Sequence, residues 1–292
     1  MRQRRSVWLC AAVGSIATVL WIVPYALGSD RLTEEFHKTY PLSAQGRIEI
    51  DNLNGAVHIS SWDRNEVQVD AIKSARNQKR LDEAQIEIDS NADSLSIRTR
   101  YPGHDHTFWS DGRYDNPATV EYTLTVPREA RLDEIKLVNG ELDLHNLTGE
   151  VRASCVNGRI DAEKLSGRSD LRTVNGELVA RVDQMPASEL KFSSVNGEVR
   201  VTLPSDANAS IKASTISGGI SNDFGLEVSR HRYVGRSLHG ELGSGGALVD
   251  LSTVNGAIEI RHAEDGRPLS PARNLEREWK RDSDEDRDDD EI

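Results

Sequence analysis

Apolar and polar residues alternate one for one over long stretches of the chain. After a series of Asn-Gly pairs the apolar positions run Leu142 and Leu144, Ile160 and Ala162, Leu178 and Ala180, Val199 and Val201, and Ile258 and Ile260. Before the pairs they run Ile135 and Leu137; Val151, Ala153 and Cys155; Leu171 and Thr173; and Leu190, Phe192 and Ser194. A period of two predicts strands with one buried face. The residues between them (Lys136, Asp143, Arg152, Asp161, Arg172 and Arg200) are charged and belong outside. Arg47–Ile50, Val57–Ser60, Val67–Ile72, Ile86–Ile88 and Leu95–Thr99 predict further strands that extend or cap the repeat. Asn77–Ala84 reads as a short helix or a loop.

The pairs themselves recur as Val138-Asn139-Gly140, Val156-Asn157-Gly158, Val174-Asn175-Gly176, Val195-Asn196-Gly197, Ile216-Ser217-Gly218 and Val254-Asn255-Gly256, with Leu53-Asn54-Gly55 as an early outlier. Successive intervals are 18, 18, 21, 21 and 38 residues. Leu147-Thr148-Gly149 and Leu165-Ser166-Gly167 lie halfway between the first three, so the unit is a short strand between two corners. Asn and Gly tolerate the positive φ of a sharp corner. The apolar residue at each corner, Val174 for example, is expected to be buried.

Two all-β architectures fit. Asn-Gly between alternating strands is a strong hairpin signal, which gives an antiparallel meander. Equal coils with two corners each give instead a single β-solenoid of 18–21-residue coils. The columns favour the solenoid. Leu137, Cys155, Thr173, Ser194, Thr215 and Thr253 align as an inward column of mostly small residues. Glu141, Arg159, Glu177 and Glu198 align as an outward column that rungs about 4.8 Å apart would let pair.

The two ends differ from this middle. Arg2, Arg4 and Arg5 precede an uncharged stretch from Ser6 to Ser29, the pattern of an export signal. Ala26-Leu27-Gly28 offers a cleavage site, whereas residues 7–28 are also long enough for an uncleaved membrane anchor. Either way the globular part is placed outside the cytoplasm, in the periplasm or at the cell surface. The domain reading is therefore 1–28 signal or anchor, 29–268 β-repeat domain, and 269–292 a short helix followed by an acidic tail. Ser270 and Pro271 suit the N-cap and first turn of that helix. The tail holds much of a net charge of −12 and is expected to be disordered.

The strand–corner series resembles bacterial adhesin-type repeat domains of unknown function, akin to the head-GIN auto-transporter adhesin and toast-rack groups. The resemblance is carried by Gly55-Ala56-Val57-His58-Ile59-Ser60-Ser61-Trp62-Asp63, by Glu121-Tyr122-Thr123-Leu124-Thr125-Val126-Pro127 leading into the Val-Asn-Gly series, and by Gly243-Ser244-Gly245-Gly246 before the last unit. It implies a cell-envelope β-solenoid and no known activity, since "adhesin" in those groups is itself inferred from fold.

Candidate chemistry is sparse. No catalytic motif, cofactor motif or paired metal cluster is present. The loop from Tyr101 to Pro117 gathers His104, Asp105, His106, Phe108, Trp109 and Tyr114, a candidate ligand surface that reads equally as a plain surface loop. Trp62 reads as a corner cap and Cys155 as a buried hydrophobe. An acidic balance without a basic patch excludes nucleic acid as a partner. The sequence therefore predicts a non-catalytic exported protein with an adhesion or scaffold surface, meeting an envelope protein or a glycan. The alternatives are a membrane-anchored sensory or regulatory ectodomain of an envelope-stress system and, more remotely, a polysaccharide-active enzyme.

Overall fold

The computed structural model describes residues 31–101, 117–230 and 234–275. The expected signal or anchor segment, the His104–Tyr114 loop and the acidic stretch after Leu275 lie outside these described residues. Within them the chain is all-β with one short helix.

The N-terminal part comprises β1 (Leu32–Pro41), β2 (Arg47–Asn54), β3 (Val57–Trp62), β4 (Glu66–Ala75), the helix α1 (Gln78–Glu83), β5 (Gln85–Ser90), β6 (Ser94–Arg100) and β7 (Thr119–Pro127). The repeats follow as β8 (Arg131–Asn139), β9 (Leu142–His145), β10 (Val151–Asn157), β11 (Ile160–Glu163), β12 (Ser169–Asn175), β13 (Leu178–Arg181), β14 (Leu190–Asn196) and β15 (Val199–Leu203). The last part holds β16 (Ala209–Ser217), β17 (Ile220–Asn222), β18 (Ser229–Arg230), β19 (Arg236–Leu242), β20 (Ala247–Asn255), β21 (Ile258–His262) and β22 (Ala272–Asn274). Asn77 caps α1 by accepting a hydrogen bond from the Arg80 backbone N–H.

The two strands that flank each Asn-Gly never pair with each other. The strand before it joins a twelve-stranded sheet and the strand after it a ten-stranded sheet. Within each sheet successive repeats pair in parallel, Cys155 with Thr173 in one and Ala162 with Ala180 in the other. The antiparallel meander is thus not how these repeats are built. Alternation supplies the core: in β10, Val151, Ala153 and Cys155 are buried while Arg152 is exposed. Inward residues of both sheets, Leu142, Ile160, Leu171, Phe192 and Val201 among them, form one continuous core. Each such side chain contributes about 1.5–3 kcal/mol by leaving water.

Spatial order departs from chain order at the C-terminal end. β20 inserts between β14 and β16, so the inward column runs Leu137, Cys155, Thr173, Ser194, Thr253, Thr215. The column has the members expected from the sequence, with the last two exchanged. β19, antiparallel to β16, continues that end of the sheet and, with β18, accounts for the long final interval. At the other end β2 lies parallel to β8, bringing the outlying Asn54 opposite Asn139.

A helix starting at Ser270 is not what forms. Ala272–Asn274 is a strand, paired with Gly240–Leu242 of β19. An open sheet edge whose backbone groups need partners outcompetes a locally favourable cap.

Candidate functional site

Stacking in register brings Asn54, Asn139, Asn157, Asn175, Asn196 and Asn255 into one line on the surface. Each amide Nδ2 donates to the Oδ1 of the preceding rung: Asn139 to Asn54, Asn157 to Asn139, Asn175 to Asn157, Asn196 to Asn175 and Asn255 to Asn196, at 2.8–2.9 Å. Ser217 continues the line beside Asn255. The glycines behind them (Gly55, Gly140, Gly158, Gly176, Gly197, Gly256 and Gly218) pack backbone on backbone, and a Cβ on Gly158 would stand 1.7 Å from the Gly140 carbonyl oxygen. No corner Asn has positive φ; among non-glycine described residues only Asn146 and Lys164 do. Asparagine is thus used for its side-chain ladder and glycine for close approach, with positive φ at only two of the corner glycines, Gly55 (+123°) and Gly140 (+158°).

The inward column completes the corner. The Thr173 hydroxyl donates to the Gly158 carbonyl at 3.1 Å, and Ser194, Thr253 and Thr215 do the same to Gly176, Gly197 and Gly256. The Cys155 thiol takes this role toward Gly140 at 3.3 Å. Burial pushes that thiol up to about 11, which removes it as a nucleophile at neutral pH. Leu137 cannot donate, and buried Asn52 serves the Gly55 carbonyl in its place.

Beside the asparagine line runs an apolar one: Leu53, Val138, Val156, Val174, Val195, Val254 and Ile216 occupy equivalent positions on the outer face of the twelve-stranded sheet. Val174 is 38% exposed and Ile216 56%. The expected burial of these corner residues is therefore corrected: with Thr173 facing inward, alternation turns Val174 outward. Sequence reasoning missed this stripe because it weighed hydrophobicity over parity, although the parity was legible.

Many outward charges are neutralised by a partner two residues away in the chain. Lys136 pairs with Glu134, Arg152 with Glu150, Arg172 with Asp170 and Arg159 with Asp161, at 2.6–2.7 Å. The expected Glu141–Arg159 rung pair is absent among these bonds, since Asp161, two residues along the chain, is nearer to hand for Arg159. Glu177 and Glu198 instead converge on Arg200 with Glu259, all at 2.7–2.8 Å. The Glu259 hydrogen bond first, and then the charges of Glu198, Glu177 and Glu259, hold the Arg200 guanidinium above its ordinary range.

One constellation invites a catalytic reading. Ser205 lies 3.2 Å from His262 Nδ1 with Asp265 nearby. However, Ser205 is 1% exposed and its hydroxyl donates to the Ala263 carbonyl at 2.6 Å, so it is a corner brace rather than a nucleophile. Among the described residues no group of three or more His, Cys, Asp or Glu is placed to hold a metal ion. No described helix is long and apolar enough to cross a membrane. Trp62 caps its corner as expected, donating through Nε1 to the Glu66 carbonyl while Arg64 stacks on its ring at 4.8 Å.

Residues 139–261 match the family model described as Toastrack DUF4097, the span of the asparagine ladder from its second rung onward. This segment is a Toastrack domain. The Toastrack ladder extends beyond the matched span, since Asn54 adds a rung contributed by the N-terminal strands. No curated protein matches the sequence. Among solved structures, a putative cell adhesion protein from Clostridium sporogenes is 14% identical, with 79% of this chain and 100% of that one covered and a TM-score of 0.46. A putative adhesin from Bacteroides fragilis is 10% identical, covering 79% and 97%, with a TM-score of 0.36. A putative lipid binding protein from Parabacteroides distasonis is 10% identical over 79% and 97%, with a TM-score of 0.24. Likeness at this level bears on neither activity nor partner.

Proposed function

We propose that the chain is an exported, non-catalytic cell-envelope protein whose Toastrack repeat, a β-solenoid of 18–21-residue coils, presents an adhesion or scaffold surface to an envelope protein or glycan. The observation that carries this reading is the unbroken pairing of the exposed valine stripe with the exposed asparagine ladder across the rungs. Scattered exposed apolar residues are ordinary, whereas a contiguous apolar line rimmed by polar groups marks an interaction surface. The ion-paired state of most outward carboxylates supports a binding face over a glycan-cleaving one, because a glycosidase needs two carboxyl groups free to act on one bond. The basic start and uncharged segment of the sequence support export.

The test is co-sedimentation of the purified full chain with isolated cell envelopes, comparing wild type with the double variant Val174→Lys, Val195→Lys. Both positions are exposed, so the variant is expected to keep its urea midpoint and lose retention in the pellet. Equal retention of wild type and variant would remove the stripe as the contact surface. Pre-treating the envelopes with protease or with a glycan hydrolase separates a protein partner from a glycan.

A second reading, the membrane-anchored sensory ectodomain of an envelope-stress system, draws on the length of residues 7–28. Mass spectrometry of the mature N-terminus decides between them: a chain starting at Ser29 sinks the anchored version.

A further inference from the structure

The asparagine ladder has a direction. All five amide bonds point toward the N-terminal rung, and at Asn54 they end: its Oδ1 accepts from Asn139, while its own Nδ2 hydrogens have no acceptor among the described residues. Aligned amides polarise one another, so the donor end of the line is an electropositive one. That end opens into a pocket of about 480 Å³ whose lining includes Arg31, Asn54, Ser74, Arg76 and Thr119 and, among the described residues, no acidic one.

Leu32 pairs with Ala75 at the end of the β1–β4 ladder; Arg31 and Arg76 flank that last pair and both line the pocket. Two steps further in, the same two strands place Lys73 against Glu34, an ion pair at 2.7 Å. Neither arginine has an acidic partner among the described residues, in a chain whose net charge is −12. A pair of unneutralised guanidinium groups next to a free amide donor is a complementary arrangement for an oxyanion, since each guanidinium offers parallel N–H donors to two oxygens.

We propose that this pocket binds a phosphate or sulfate group, free or esterified, between Arg31 and Arg76, with the Asn54 amide as a third donor and the Ser74 and Thr119 hydroxyls at its wall. The site lies at the end of the valine–asparagine face but does not depend on that face being adhesive.

Calorimetric titration of the full chain with inorganic phosphate, and separately with sulfate, at low ionic strength tests this. One saturable site is expected, weakened at least tenfold in Arg31→Gln and in Arg76→Gln and unchanged in Arg64→Gln, an exposed arginine remote from the pocket. In anion-free buffer Arg76→Gln should also raise the melting temperature, by leaving one guanidinium rather than two at the pocket. Absence of saturable binding to either ion, or equal weakening by Arg64→Gln, overturns the proposal. Flotation with phosphatidylglycerol vesicles, against phosphatidylcholine alone, then separates the sources. Arginine-dependent flotation identifies a lipid headgroup, and phosphate binding without flotation identifies a soluble or sugar-borne group.

Discussion

Gly176 lies so close beneath Gly158 that a Cβ on it would stand 1.9 Å from the Gly158 carbonyl oxygen. The contact is backbone against backbone, so nothing flexible can yield. Gly176→Ala is therefore expected to cost about 3 kcal/mol, at the upper end for overpacking. Gly225 provides the contrast, with φ of +79° and no atom near its absent Cβ. There Gly225→Ala should cost only backbone strain, about 1 kcal/mol. Urea unfolding of both variants checks this, and equal losses would contradict the close-stacking account.

Val174→Asp should leave stability within about 0.5 kcal/mol of wild type, as for other surface substitutions. Leu171, three residues earlier and fully buried, should lose about 2–5 kcal/mol as Leu171→Ala. A large loss for Val174→Asp would restore the buried corner expected from hydrophobicity alone.

Asn175 donates to Asn157 and accepts from Asn196, so Asn175→Ala breaks the ladder at two bonds. Both are solvent-exposed, and a loss of about 1 kcal/mol is expected. Asn255→Ala, which removes one bond at the acceptor end, should cost about half as much. Chemical denaturation of the two variants gives the ratio; a smaller loss for Asn175→Ala than for Asn255→Ala would show that the ladder does not act as a line of equivalent bonds.

The Asp265 carboxyl is held at about 2 by its contact with the Ser205 side chain, and then by hydrogen bonds from the backbone N–H groups of Arg267 and Ser205. Its folded value lies below the ordinary one near 3.8, so its contribution to stability is present above about pH 4 and disappears as pH falls toward 2. The gap in urea midpoint between wild type and Asp265→Asn should accordingly close over that window. A gap that stays constant down to pH 2 would show that the charge is not what Asp265 contributes.

The alternation of residues and the spacing of Asn-Gly determined much of this protein: the strands, their buried faces, the membership of the Thr173 column and the register that aligns the asparagines. These are local or periodic properties, and a period of two leaves no freedom over which side of a strand faces the core. Even the exposure of Val174 was legible in that parity. Tertiary structure decided what depends on distant partners. β20 lies between β14 and β16, with β19 antiparallel on the far side of β16, an arrangement no spacing encodes. Ala272–Asn274 pairs with β19 although its local signals favour a helix. Arg31 and Arg76 line one pocket at the donor end of the ladder only because β1 pairs with β4. Sequence periodicity set the rungs; the free edges of the sheets, whose backbone groups must find partners, determined how the ends were finished.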